Sequence, residues 1–224
     1  MKLVMFDMDG TLIDTGELIA EHMATTFAGA GLDAPSPQKV RRVIGLSLPE
    51  AMLELLGRQD VDLAHQLADQ YRAHYRAALV SAEGREGLFP GARDALNLLS
   101  ARADTLLGIA TGKGLNGVHR LTQLHGIAEL FATLQTPDHN PSKPHPGMML
   151  RAMAETGAAP RDTVIVGDTT FDMAMGKAAG TKTIGVTWGY HQPNELRGAG
   201  ADIVIDSYAA LPAAIDQLLE SSDA

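Results

Sequence analysis

Six short apolar runs constrain this chain most: residues 3–6, 106–110, 131–134, 164–166, 183–186 and, more weakly, 203–205. A strand with one wet face alternates apolar and polar residues, but a strand covered on both faces need not. Helical patterns lie between the runs, at residues 91–102, 115–125, 146–156, 171–179 and 208–219. Buried strands alternating with helices of this length predict an α/β fold, with crossover units around a parallel sheet.

One stretch breaks the rhythm. Residues 15–81 carry no convincing strand, only helix-like segments at 17–30, 37–44, 49–56 and 60–79, punctuated by Pro35, Pro37 and Pro49. A helical block between the first and second strands predicts an inserted domain at 15–81, on a core formed by 1–14 and 82–224. The tail 220–224 is expected to fray.

The block starts just after an acidic turn, Asp7-Met8-Asp9-Gly10-Thr11-Leu12, which follows the run Leu3-Val4-Met5-Phe6. Residues i and i+2 of a strand face one side, so the carboxylates of Asp7 and Asp9 can reach one pocket. Their repulsion needs an offset such as a metal ion or a bound substrate. Gly10 lets the backbone turn sharply beside a ligand. As a bare pattern this also suits an acidic strand end, but three more polar stations recur downstream. Thr111 ends the run at 106–110 and leads into Gly112-Lys113-Gly114; Lys143 lies in Ser142-Lys143-Pro144-His145-Pro146; Asp168 and Asp172 follow the run at 164–166.

In these four motifs, in this order, the chain resembles the haloacid dehalogenase superfamily, in its branch of small phosphatases similar to phosphoglycolate phosphatase. The resemblance covers nearly the whole chain. It implies a Rossmann-like core closed by a small helical cap of the C1 type. It also implies magnesium held by Asp7, Asp168 and the backbone carbonyl of Asp9, with Asp172 in support. Asp7 would be the nucleophile and Asp9 the general acid and base. Thr111 and Gly112 would bind the phosphoryl group, and Lys143 would pair with both the nucleophile and the phosphate. Oxygen ligands of this kind suit magnesium, a hard cation that shares phosphate oxygens with its substrate.

Other residues are weaker candidates. Lys113 follows Gly112 and lies within reach of a substrate. Arg41 and Arg42 stand where related caps place a basic substrate contact, with a solvated helix face as the alternative. His139 and His145 lack a partner at metal-ligand spacing and suit loop packing. The aromatics of Trp188-Gly189-Tyr190-His191 suit packing or a subunit contact.

Composition narrows the class further. A formal net charge of −9 argues against a nonspecific nucleic-acid binder, yet a metal ion and one or two lysines can still build a local anion site. The absence of cysteine excludes disulfides, thiolate catalysis and Cys-ligated zinc. No apolar run approaches the roughly 20 residues of a spanning helix, so the expectation is a cytoplasmic protein without a membrane partner, as monomer or homodimer. The expected activity is magnesium-dependent hydrolysis of a small phosphorylated metabolite, phosphoglycolate being the first candidate by resemblance. A phosphomutase or pyrophosphatase on the same fold stays open. A dehalogenase is disfavoured by Asp9 and Asp168, and a non-enzymatic phosphate-binding module by the presence of all four stations.

Overall fold

The computed structural model describes residues 1–78 and 85–220. Six strands form one sheet: β1 (Lys2–Phe6), β4 (Thr105–Ala110), β5 (Phe131–Gln135), β6 (Thr163–Gly167), β7 (Lys182–Val186) and β8 (Ile203–Ile205). Their order is β5-β4-β1-β6-β7-β8, and every neighbouring pair is parallel. Each expected strand is present, within one residue of its expected bounds.

Alternate residues of β1 explain the unbroken apolar runs. Val4 and Phe6 enter one core with Leu96, Leu99, Val118, Leu121 and Ile215. Leu3 and Met5 enter another, with Met148, Met149, Ala152 and Met175. Helices α5 (Ala92–Ser100), α6 (Leu115–Leu124) and α10 (Leu211–Glu220) supply the first layer; α7 (Gly147–Thr156) and α8 (Thr170–Ala178) supply the second. With both faces covered, no position from Leu3 to Phe6 on the central strand is left for a solvated residue.

Four further helices follow β1: α1 (Gly16–Gly29), α2 (Pro37–Arg41), α3 (Leu48–Leu56) and α4 (Val61–Ala78). They close around a third apolar cluster of their own, including Met23, Phe27, Val40, Met52, Leu67 and Tyr71. The expected end of the fourth helix at Leu79, the boundary at 81/82 and the tail 221–224 lie outside the described residues.

Three features depart from the expectation. A ribbon pairs β2 (Ile13–Asp14) with β3 (Gly87–Leu88), antiparallel, where the chain leaves and re-enters the core. It ties the base of the helical unit above the carboxyl end of β1. A short helix, α9 (Pro193–Gly198), starts at a capping box formed by Gln192 and Glu195. The helix expected from residue 208 begins as a 3-10 turn, Tyr208–Ala210, and becomes α10 only at Leu211. Among the described residues, no helix is long and apolar enough to cross a membrane.

Candidate active site

The chain leaves β1 for one side of the sheet, through β4 and β5, then crosses back to β6 on the other. Ligands of open α/β sheets bind at this reversal, outside the carboxyl ends of the strands. Asp7 ends β1 with its amide donating to the Val166 carbonyl at 3.0 Å, and Asp168 follows β6. The two carboxylates therefore meet across one strand pair, although 161 positions separate them in sequence.

Asp7, Lys143, Asp168 and Asp172 are all at most 1% exposed. Lys143 bridges two of the acids, with Nζ 3.0 Å from Asp7 Oδ1 and 2.6 Å from Asp172 Oδ1. Asp7 Oδ1 also accepts from the Met8 amide at 2.6 Å. Asp7 Oδ2 is buried and has no hydrogen-bond partner among the described residues. Asp168 accepts from the Thr11 hydroxyl at 2.8 Å and from the Tyr190 amide at 2.9 Å. Asp172 belongs to the capping box of α8, its Oδ2 accepting from the Thr169 amide at 3.1 Å and hydroxyl at 2.6 Å. The acid thus both starts a helix and faces Lys143.

The electrostatics are tense. Burial pushes the Asp7 carboxyl up to about 7, against the pull of Lys143, with the Asp172 charge adding to the rise. Burial, then the charges of Asp7 and Asp172, raise Asp168 well above the ordinary carboxylate range. Burial opposes the charge of Lys143, but Asp172 and Asp7 outweigh it and hold the ammonium above its usual value. Oxygens of Asp7, Asp168 and Asp172 all lie within 4.8 Å of one another. Fully ionised, these three carboxylates against the single Lys143 ammonium leave two negative charges uncompensated. An all-oxygen donor set with that deficit, and one unpartnered oxygen, fits a hard divalent cation.

Asp9 points elsewhere. Its Oδ1 accepts from the Thr15 hydroxyl at 2.6 Å, and its Oδ2 lies 3.1 Å from Lys113 Nζ. Gly10 adopts φ +85°, and a methyl there would overlap the Asp168 carboxylate, so only glycine permits the turn that separates the two acids. The carbonyl of Thr11 accepts from Trp188 Nε1 at 3.0 Å and from the Tyr208 hydroxyl at 2.7 Å. These two rings pack at 4.7 Å and anchor the turn from below.

Asp7, Asp9, Thr111, Gly112 and Lys113 line one cleft of about 1010 Å³ between the helical unit and the sheet. The helical unit is docked. The Ser47 amide donates to Ser142 Oγ at 2.8 Å, and a methyl on Gly112 would overlap the Leu46 carbonyl. Ser142 precedes Lys143, so this contact reaches the loop that carries the buried lysine.

Arg41 and Arg42 are not brought to this cleft. Both are exposed and neither lines it; Arg42 pairs with Glu195 at 2.8 Å, on the outside of the junction. His145 Nδ1 accepts from the Gly147 amide at 3.0 Å, a local loop contact, and the His139 amide donates to the Thr136 carbonyl at 3.3 Å. Sequence reasoning passed over Thr11, Thr15, Ser142 and Arg120. Thr169 was passed over as well, although its Thr-x-x-Asp spacing to Asp172 is that of a capping box.

Comparison with known proteins agrees with this geometry. A family model described as haloacid dehalogenase-like hydrolase matches residues 4–186. A Dickeya dadantii protein named "Probable phosphatase IndB" is 35% identical, over 98% of this chain and 96% of its own length. An N-acetylmuramic acid 6-phosphate phosphatase from Pseudomonas aeruginosa is 30% identical, with the same coverage of 98% and 96%. A haloacid dehalogenase-like family hydrolase from Streptococcus pneumoniae shares the fold, with a TM-score of 0.81 at 24% identity over 96% of this chain and 98% of that one. With the strand-end acids, the buried lysine and a family match over most of its length, the chain belongs to the haloacid dehalogenase-like hydrolases.

Proposed function

We propose that this protein is a magnesium-dependent phosphatase that hydrolyses a small phosphorylated metabolite through an aspartyl-phosphate on Asp7. The observation that carries the reading is the state of Asp7: one oxygen held by Lys143 and the Met8 amide, the other buried and unpartnered below the cleft. A nucleophile fixed in this way has little orientational freedom left to lose. In this reading residues 15–81 form a cap over a core of 1–14 and 82–224.

Asp7 attacks phosphorus, forming an O–P bond as the bond to the leaving alcohol breaks. Asp9, which lines the cleft, gives its proton to the leaving oxygen. It then takes one from the water that attacks the aspartyl-phosphate, releasing phosphate and restoring the Asp7 carboxylate. Thr15 holds one oxygen of Asp9 for this exchange. Lys113, paired with the other, also lines the cleft and turns toward the arriving phosphate. Thr111 and the Gly112 amide face the phosphoryl oxygens, and Lys143 offsets charge on the nucleophile and the transferring group.

Asp7, Asp168 and the backbone carbonyl of Asp9 would hold magnesium, with Asp172 keeping Lys143 in place. When bound, the ion supplies Lewis-acid neutralisation of phosphate oxygens.

The test is phosphate release from a metabolite panel, with an acid quench and intact mass in parallel. Activity is expected to vanish with a chelator and return with magnesium. Calcium should inhibit, because its longer and more numerous contacts loosen in-line geometry. A phosphorylated species mapping to Asp7 should appear in the quenched sample. Full turnover in metal-free buffer, or a phosphoryl adduct on another residue, would overturn the assignment.

A further inference from the structure

Lys113 is held on three sides. Its ammonium lies 3.1 Å from Asp9 Oδ2, and its side chain is only 14% exposed. Its stem runs past Gly117 in α6, where a methyl would come within 2.9 Å of Lys113 Cγ and 3.0 Å of Cδ. The third side belongs to the helical unit. Lys113 Nζ stands 5.6 Å from the centroid of the Tyr75 ring in α4, inside the roughly 6 Å over which an aromatic face attracts a cation. Asp9, Lys113, Gly117 and Tyr75 all line the cleft.

Tyr75 is itself fixed. Its ring stacks on Tyr71 at 5.8 Å and meets His22 at 5.1 Å. Its hydroxyl donates to Glu86, a buried carboxylate that also accepts from both terminal nitrogens of Arg120, at 2.7 and 2.5 Å. Burial opposes the charge of Glu86, but Arg120 and Tyr75 outweigh it and hold the carboxyl below its ordinary value. Arg120 lies in α6, the helix that Lys113 precedes. Tyr75 is thus tied to the Lys113 side of the cleft twice, through Glu86 and Arg120 and through the face of its own ring.

We infer, on the phosphatase reading above, that Tyr75 is a positioning residue: its ring holds the Lys113 ammonium in the cleft beside Asp9, from where it turns to the phosphoryl group. Lysine is a point charge on a flexible four-carbon stem, and a seat that limits its rotamers lowers the entropy lost when an anion binds. One wall of that seat comes from α4, so docking of the helical unit completes the anion site.

The test is a double-mutant cycle on Tyr75 and Lys113. It is read as kcat/KM for p-nitrophenyl phosphate with magnesium and, without turnover, as calorimetric affinity for orthovanadate. Tyr75→Leu should lower both by about five- to thirtyfold, the scale of a desolvated cation–π contact. Tyr75→Phe keeps the ring and should recover most of that loss. In a Lys113→Ala background, Tyr75→Leu should change either quantity by less than about twofold. Equal losses in both backgrounds would overturn the inference, because a defect in folding does not depend on Lys113. A Tyr75→Phe variant as poor as Tyr75→Leu would overturn it too, by assigning the effect to the hydroxyl and Glu86. So would a Tyr75→Leu variant with wild-type values. No phosphate release by the unaltered protein from any ester, p-nitrophenyl phosphate included, would instead overturn the phosphatase reading on which the inference rests.

Discussion

On the sheet side of the cleft, Asp7, Lys143, Asp168 and Asp172 are buried and hold one another in place. On the helical side, Leu46, Leu48 and Leu53 stand half-buried and face the same space, beside the polar side chains of Ser47, Glu50, His65, Arg72 and Arg76. The first wall is directional and electrostatically tense: its acids are raised by burial and by each other. The leucines of the second are non-directional, since apolar contact depends on area rather than on angle. A reaction that moves one kind of group needs the first sort of wall, because misplacing a charge there costs several kcal/mol. Recognition of the remainder of a substrate needs only the second, and an apolar wall can change shape without disturbing the chemistry. The difference also predicts opposite responses to substitution.

The largest effects should come from the buried cluster, and they should separate activity from stability. Asp7→Asn removes the proposed nucleophile, so turnover should fall by at least about a hundredfold. The fold should hold or gain stability, since one of three crowded carboxylates is gone. Lys143→Met should also abolish turnover, but here the two acids it bridges lose their counter-charge. Breaking a buried pair from one side costs about 3–5 kcal/mol, seen as a lower urea midpoint with an unchanged slope. Equal stability for the two variants would mean that the carboxylates are not coupled through Lys143, and the contrast between the two walls would lose its electrostatic half.

The junction between the walls comes next. Ser142→Ala deletes the acceptor of the Ser47 amide, a hydrogen bond worth about 0.5–1.5 kcal/mol. Docking of the helical unit should weaken by that amount. KM should rise by up to about tenfold for an ester that needs the closed cleft, with kcat less affected. If kcat falls instead and KM stays, Ser142 acts on Lys143, its neighbour in the loop, and not on the helical unit.

The contrast also explains what was legible in the chain. β1, β4 and β6 declare themselves because strands covered on both faces must be apolar throughout, and Asp7, Thr111 and Asp168 stand out as the polar residues that end such runs. Lys143 was legible through its proline-rich setting. The ribbon of Ile13–Asp14 with Gly87–Leu88 was not, because two-residue strands have no periodicity and their pairing spans the entire helical unit. Thr11 and Thr15 escaped notice because a threonine after a turn is common; what makes each matter is the carboxylate folded against it. The Tyr190 amide, which holds Asp168, has no side-chain signature at all. Arg42 shows the reverse. A basic residue ahead of Gly45 suggested a substrate contact, but the direction of its side chain is set by Glu195, which lies 153 positions away.

Arg42 therefore carries the smallest expected effect and the sharpest test of where recognition resides. Its hydrogen bond, joined by the Gln192 amide, holds the Glu195 carboxyl down at about 2. A carboxyl depressed in the folded state adds stability that is present above its unfolded value of about 4.5 and is lost as pH falls through about 2. The pair is thus fully charged across the neutral range and should not shape a pH profile there. Both partners are solvated, with the Arg42 side chain 53% exposed and that of Glu195 31%, so salt should screen them and their contribution should be small. Arg42→Ala is expected to change KM by less than about twofold on any phosphate ester, with little difference between low and high salt. A rise of tenfold or more confined to esters bearing a second anion would mean that Arg42 leaves Glu195 and swings to the substrate. Recognition would then run through Arg42 on the helical side, and the half-buried leucines would be only its background.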